Sequence, residues 1–172
     1  MELREQFNSQ WHGIRDVVLS EAKRELTIHG RVDAERLTSK LHEETGRWQR
    51  GEFSQGLWYK EFLRRHPEKA ALFAEKTQCI RLYEPANNKK PSNGWIYSLF
   101  VMIALALGFV LHYKTEMNMV EQIFYPILFF FVAKTAYVPV KDKRERKYID
   151  GITDDLKAQL DAVHRDLASF IE

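Results

Sequence analysis

The stretch WIYSLFVMIALALGFVLHY, Trp95 to Tyr113, and the stretch IFYPILFFFVAKTAYVPV, Ile123 to Val140, stand nine residues apart and decide how this chain folds. The first holds 19 residues with no Asp, Glu, Lys or Arg. At about 1.5 Å per helical residue its length is close to the ~30 Å hydrocarbon core of a bilayer. The second holds 18 residues and one charge, Lys134. Together they predict a two-span transmembrane helical hairpin. The mean hydropathy of the whole chain is only −0.42, because these runs are averaged with densely charged flanks.

Charges at the ends of the two stretches predict their orientation, since Lys and Arg beside a span resist translocation. Arg81, Lys89 and Lys90 precede the first, and Lys141, Lys143, Arg144, Arg146 and Lys147 follow the second. The connecting turn has Lys114, offset by Glu116 and Glu121. Both termini are therefore expected in the cytoplasm of a bacterial cell, with the hairpin in the inner membrane. The five cations from Lys141 to Lys147 are read as a membrane-surface anchor. Trp95, Tyr97, Tyr113, Tyr125 and Tyr137 fall at the span ends, where aromatic rings suit the interface. The first 30 residues carry both signs of charge and no apolar signal-peptide core, so insertion is expected to start from the hairpin.

Outside the hairpin the apolar periodicity is helical, and the fold class read from it is all-α. Leu3, Phe7, Trp11, Ile14, Val18, Ala22 and Leu26 mark one face of a helix ending near Gly30. Asp33 can cap a second helix with Leu37, Leu41 and Trp48. Ser54 can cap a third with Leu57, Trp58, Phe62 and Leu63, and Pro67 opens a fourth through Phe73 and Thr77. Trp11, Trp48, Trp58, Phe53, Phe62 and Phe73 are the expected core of an N-terminal cytosolic module, residues 1–83. Residues 84–94, EPANNKKPSNG, read as a linker. The hairpin follows as 95–140, with spans 95–113 and 123–140. In 141–172, Ile149, Ile152, Leu156, Leu160, Val163, Leu167 and Phe170 mark an amphipathic tail helix, expected to pack on the module or to pair with copies of itself.

No residue pattern names a reaction. His42-Glu43-Glu44-Thr45-Gly46 begins like a zinc-protease helix, but Gly46 stands where the second histidine is required. The six histidines have no metal-ligand spacing, and Cys79, the only cysteine, has no evident acid partner. Gly46, Gly51 and Gly56 form no phosphate-cradling loop. No catalytic residue, metal or cofactor is therefore assigned. A net charge of +2 gives no general nucleic-acid surface.

Candidate residues remain in the hairpin and the module. Ala104 and Gly108, four apart, would let a neighbouring helix approach closely. Lys134 lies six residues from the second span's cytosolic end, close enough for its stem to snorkel. Asn118 and Glu121 would stand at an outer pore mouth, where rings of such groups select ions. Glu121 and Tyr125 resemble part of the Trp-Asp-x-x-Glu-Pro entrance of the mitochondrial calcium uniporter, with Met117, Asn118 and Gln122 replacing Trp, Asp and Pro. Met117 and Asn118 resemble the Gly-Met-Asn signature of bacterial magnesium channels, with Glu116 replacing the glycine. A turn that half-matches both assigns neither family.

The expected role is non-enzymatic. The cytosolic module binds a protein or signal, with Trp48, Trp58, Phe62 and the tail helix as its binding elements, and the hairpin localises or assembles it. The alternative is an oligomeric ion channel or membrane-disrupting effector gated by the module. Expected partners are the lipid bilayer, copies of the chain, or another membrane or cytosolic protein.

Overall fold

The computed structural model describes the backbone of residues 3–52, 57–114 and 119–171; of residues 111, 114, 119, 120, 122 and 123 only the backbone is considered. All regular structure among them is helical, in six helices. Helix α1, Leu3–His29, buries Phe7, Trp11, Ile14, Val18, Ala22 and Leu26 along one stripe. It stops at Gly30, whose φ of 67° suits a residue without a Cβ. Helix α2, Ala34–Arg50, starts where the Asp33 side chain accepts hydrogen bonds from the amides of Glu35 and Arg36. It ends on Gly51, also at φ 67°, with the Gly51 amide on the carbonyl of Trp48 and the Glu52 amide on that of Arg47. Gly46 lies inside this helix and does not end it. Helix α3, Leu57–Arg65, is followed by α4, Pro67–Cys79, in which proline's fixed φ serves the first turn. Phe53 and Ser54 lie outside the described residues.

Two further helices complete the chain: α5, Gly94–Lys114, and α6, Met119–Ala168. The second span and the tail were expected as separate segments, yet α6 continues through both. The charged run KDKRERKYID contains good helix formers that need no packing partner to stay helical in water, and no proline interrupts it.

Two compact units result, one formed by Met1–Lys89 with Ile149–Glu172 and the other by Lys90–Tyr148. In the first, Phe7, Trp48, Trp58, Phe62 and Phe73 are fully buried and Trp11 nearly so. Trp48 and Trp58 meet edge to face at 5.0 Å, and Phe7 and Phe73 pack against Trp58 at 5.2 and 5.5 Å. A buried tryptophan of roughly 200 Å² contributes up to about 5 kcal/mol. Among the described residues the indole N–H groups of Trp11, Trp48 and Trp58 find no acceptor, which offsets about 1–3 kcal/mol of that gain for each ring.

The tail closes this unit. Leu156, Leu160 and Leu167 are fully buried, Arg15 reaches Asp161 at 3.4 Å, and Lys76 lies 3.7 Å from Asp166. Of the two expectations for the tail helix, packing on the N-terminal helices is the one observed.

Candidate functional site

In the second unit, α5 and α6 each have one inward stripe. Ile96, Tyr97, Phe100, Val101, Ala104 and Gly108 are the less exposed positions of α5, and Glu121, Tyr125, Phe129, Ala133, Tyr137 and Lys141 recur every fourth residue on α6. Tyr97 meets Tyr137 edge to face at 5.4 Å. A Cβ added at Gly108 would lie 3.9 Å from the Phe129 ring, at ordinary contact distance, so the seam brings the two helices close here while still leaving room for a methyl group. Ala104 and Gly108 both sit on this seam.

Most of the remaining surface between Leu99 and Val140 that is described is apolar. Met102 is 65% exposed and Phe109 69%, and Ile103, Leu105, Leu107, Val110, Phe124, Ile127, Phe131 and Val132 are exposed with them. Among the described residues, no helix is long and apolar enough to cross a membrane. The side chains at positions 111 and 114 of α5 and those at 119, 120, 122 and 123 of α6 lie outside that set.

Toward the far end of the seam, Ala104, Gly108, Phe109, His112, Glu121 and Tyr125 line an open cleft of about 350 Å³. Asn118 lies outside the described residues. Glu121 is half-buried in the cleft, whereas Lys134 is exposed beside the seam. Thirteen residues of helix separate these two, about 20 Å along the axis, so they share no site.

The five cations after Val140 divide into two sets. Lys141 and Arg144 are half-buried, while Lys143, Arg146 and Lys147 are exposed. The Arg144 guanidinium carbon stands 5.8 Å from the centre of the Trp95 ring, a cation–π arrangement. Glu145 receives Lys90 at 3.2 Å and the Asn93 amide nitrogen at 3.5 Å.

The first unit corrects one expectation directly. Trp48, Trp58 and Phe62, taken as partner-binding residues, are fully buried and present no surface. Helical periodicity finds apolar side chains but does not tell a core stripe from a docking stripe. An accessible feature that periodicity misses is a non-helical strap from Ile80 to Asn88, with a turn at 86–87. Ile80, Leu82 and Pro85 point inward, and polar side chains fasten the strap's backbone. His42 bonds the Ile80 carbonyl at 2.8 Å, and Thr38 accepts from the Leu82 amide at 3.0 Å. Gln159 bonds both the amide and the carbonyl of Tyr83, and Asn88 does the same for Val32.

Beside the strap run two open clefts, of about 840 and 560 Å³, that share Glu35, Leu82 and Tyr83. Arg31, Asp33, Asn87 and Lys89 line the larger and His42, Gln78 and Arg81 the smaller, a mixture of charges over an apolar floor. On the α2 surface nearby, hydrogen bonds from Lys40 hold the Glu43 carboxyl below its usual range, and Glu43 and then Glu44 raise the Lys40 ammonium. Polar residues such as Thr38 and Asn88 have no periodic signature, so only the fold reveals their role.

No three His, Cys, Asp or Glu side chains among the described residues converge as metal ligands would. Comparison of the chain with protein-family models, curated proteins and solved structures finds no match.

Proposed function

We propose that this chain is a membrane-anchored, non-enzymatic recognition protein, in which the helical hairpin of the second unit holds the first unit at the cytoplasmic face of an inner membrane. One observation carries the reading. The second unit turns most of its large apolar side chains outward from the seam, leaving a band of exposed Leu, Ile, Met and Phe. Monomeric soluble proteins rarely expose an apolar patch beyond a few hundred Å², and lipid is the covering that suits two antiparallel faces at once. The intact sequence agrees, with 19 residues from Trp95 to Tyr113 free of Asp, Glu, Lys and Arg. Trp95 and Tyr137 would mark the inner interface and Lys141 to Lys147 the anionic cytoplasmic leaflet.

For recognition the strap and α2 supply the surface. Tyr83 is 73% exposed between the two clefts, with its backbone fixed by Gln159. A large aromatic on a pinned backbone is suited to anchor a peptide segment of a cytosolic partner.

The lone thiol provides the test. Cys79 is exposed in the first unit. An impermeant maleimide should leave it unmodified in intact spheroplasts and label it once the membrane is opened, and alkaline carbonate should not extract the protein. Labelling in intact spheroplasts would reverse the orientation, and carbonate extraction would remove the anchor.

A second reading, an oligomeric channel, is favoured by the cleft that holds His112, Glu121 and Tyr125. In that case Glu121→Gln changes ion selectivity in liposome flux, and unchanged flux removes Glu121 from any pathway.

A further inference from the structure

We infer that Arg144, held over the Trp95 ring, is a binding site for the phosphate of an anionic phospholipid. The inference rests on the membrane-anchored reading and adds a specific headgroup contact to it. Arg144 lies four residues past Val140, about 6 Å of helix rise. That depth falls within the headgroup layer, which adds roughly 5–7 Å to each side of the hydrocarbon core. Trp95, the ring beneath it, is the kind of side chain that settles at the same level.

Arg144 also carries a donor that, among the described residues, has no acceptor: its Nη1 is shielded and meets no hydrogen-bond partner there. Glu145, the adjacent carboxylate, faces Lys90 and Asn93 instead, because neighbouring residues on a helix do not share a face. Among the described residues Arg144 has no ion-pair partner, whereas most of the arginines in the first unit do. A guanidinium whose face rests on an indole keeps for an oxyanion the N–H groups on the exposed part of this half-buried side chain, and phosphate accepts such charge-assisted bonds well.

The surroundings select the headgroup. Residues 141–147 hold five cations and two carboxylates, Asp142 and Glu145. A phosphatidylethanolamine would bring an ammonium into this excess of positive charge. A phosphatidylglycerol brings the same phosphodiester without one, and is therefore preferred.

Native mass spectrometry of the full chain in mild detergent, titrated with phosphatidylglycerol or phosphatidylethanolamine, tests the site. Wild type should retain one phosphatidylglycerol preferentially. Arg144→Gln should lower that occupancy about tenfold or more, the scale of a lost charge-assisted hydrogen bond. Arg146→Gln removes an equal but exposed charge and should lower it by no more than about fivefold, the effect of one diffuse surface charge. Arg144→Lys should restore only the part owed to charge. Equal losses in Arg144→Gln and Arg146→Gln would overturn the site, as would displacement of the lipid by inorganic phosphate, which would identify a free-anion site. Wild-type resistance to carbonate separates the two readings: extraction defeats the anchor itself, while retention with equal losses defeats only the headgroup contact.

Discussion

The imidazole of His164 lies nearly flat against the ring of Phe7, 5.3 Å between centroids with 16° between planes. It stacks on Trp11 as well, at 5.6 Å, and its Nε2 is 2.9 Å from the Asn8 side-chain oxygen. The tail of α6 is thus fastened to α1 by a ring whose burial favours the neutral form. Burial lowers its pKa first, and the nearby His12 adds to this; Asp161 opposes, and Arg15 and Arg4 lower it further. An unfolded histidine titrates near 6.5. Below that pH the unfolded chain takes up the proton first, so stability should fall as pH drops from about 6.5 to the lower folded-state value. Above about 6.5 the ring is neutral in both states and contributes no pH dependence. Thermal unfolding of the first unit between about pH 7 and 5 should show a falling Tm, with a shallower fall in His164→Phe. Equal slopes in the two proteins would place the pH dependence elsewhere.

Much of this interface was legible in the sequence, because Leu156, Leu160 and Leu167 repeat at helical spacing and their burial follows from that period. The Asp33 cap and the glycine stop at Gly30 were equally plain, since each answers a local backbone need. Long-range geometry was not legible. Trp48 and Trp58 read alike as core or as docking surface, and only packing of α1, α2 and α3 around them decides for core. The partners of Arg144 and Asn88 lie 49 and 56 positions away in the chain, at Trp95 and Val32, beyond the reach of any periodicity.

Within the second unit, Gly108 makes a graded prediction. A methyl group there would meet Phe129 at ordinary contact distance, 3.9 Å. Gly108→Ala should therefore be tolerated, with a small gain of up to about 1 kcal/mol from helix propensity. Gly108→Leu must push Phe129 off the seam and should cost about 1–3 kcal/mol. Unfolding in mixed micelles by titration with dodecyl sulfate measures both. Equal behaviour of the alanine and leucine variants would mean that the seam is not packed here.

Asn88 governs the strap. Val32 is 1% exposed, and its amide and carbonyl both depend on the Asn88 side chain, at 2.7 and 2.6 Å. Asn88→Ala leaves two buried backbone groups without partners, at about 1–3 kcal/mol each if no water reaches them. Asn88→Asp keeps the acceptor for the Val32 amide but sets a carboxylate against the Val32 carbonyl, and should fare no better. Hydrogen exchange should show lost protection at the Val32 and Leu82 amides while the α1 core stays protected. Unchanged exchange at both amides would show that the strap is held by its apolar contacts alone.

Lys134 tests the hairpin's depth and direction together. Its side chain is exposed beside the seam, six residues before Val140. On the membrane-anchored reading the ammonium would have to climb about 9 Å to reach the headgroups. A lysine's long stem would cover most of that distance, and an anionic cytoplasmic leaflet would attract its charge. Lys134→Leu removes a charge and should leave insertion intact or improved. Lys134→Glu has a shorter stem and a charge repelled by the same leaflet, and should impair insertion. Shielding of Cys79 from an impermeant maleimide in spheroplasts reads topology, and carbonate-resistant protein reads insertion. If Lys134→Glu inserts as well as wild type while Lys134→Leu does not, the lysine is paired inside an assembly and is not snorkelling to the cytoplasmic surface.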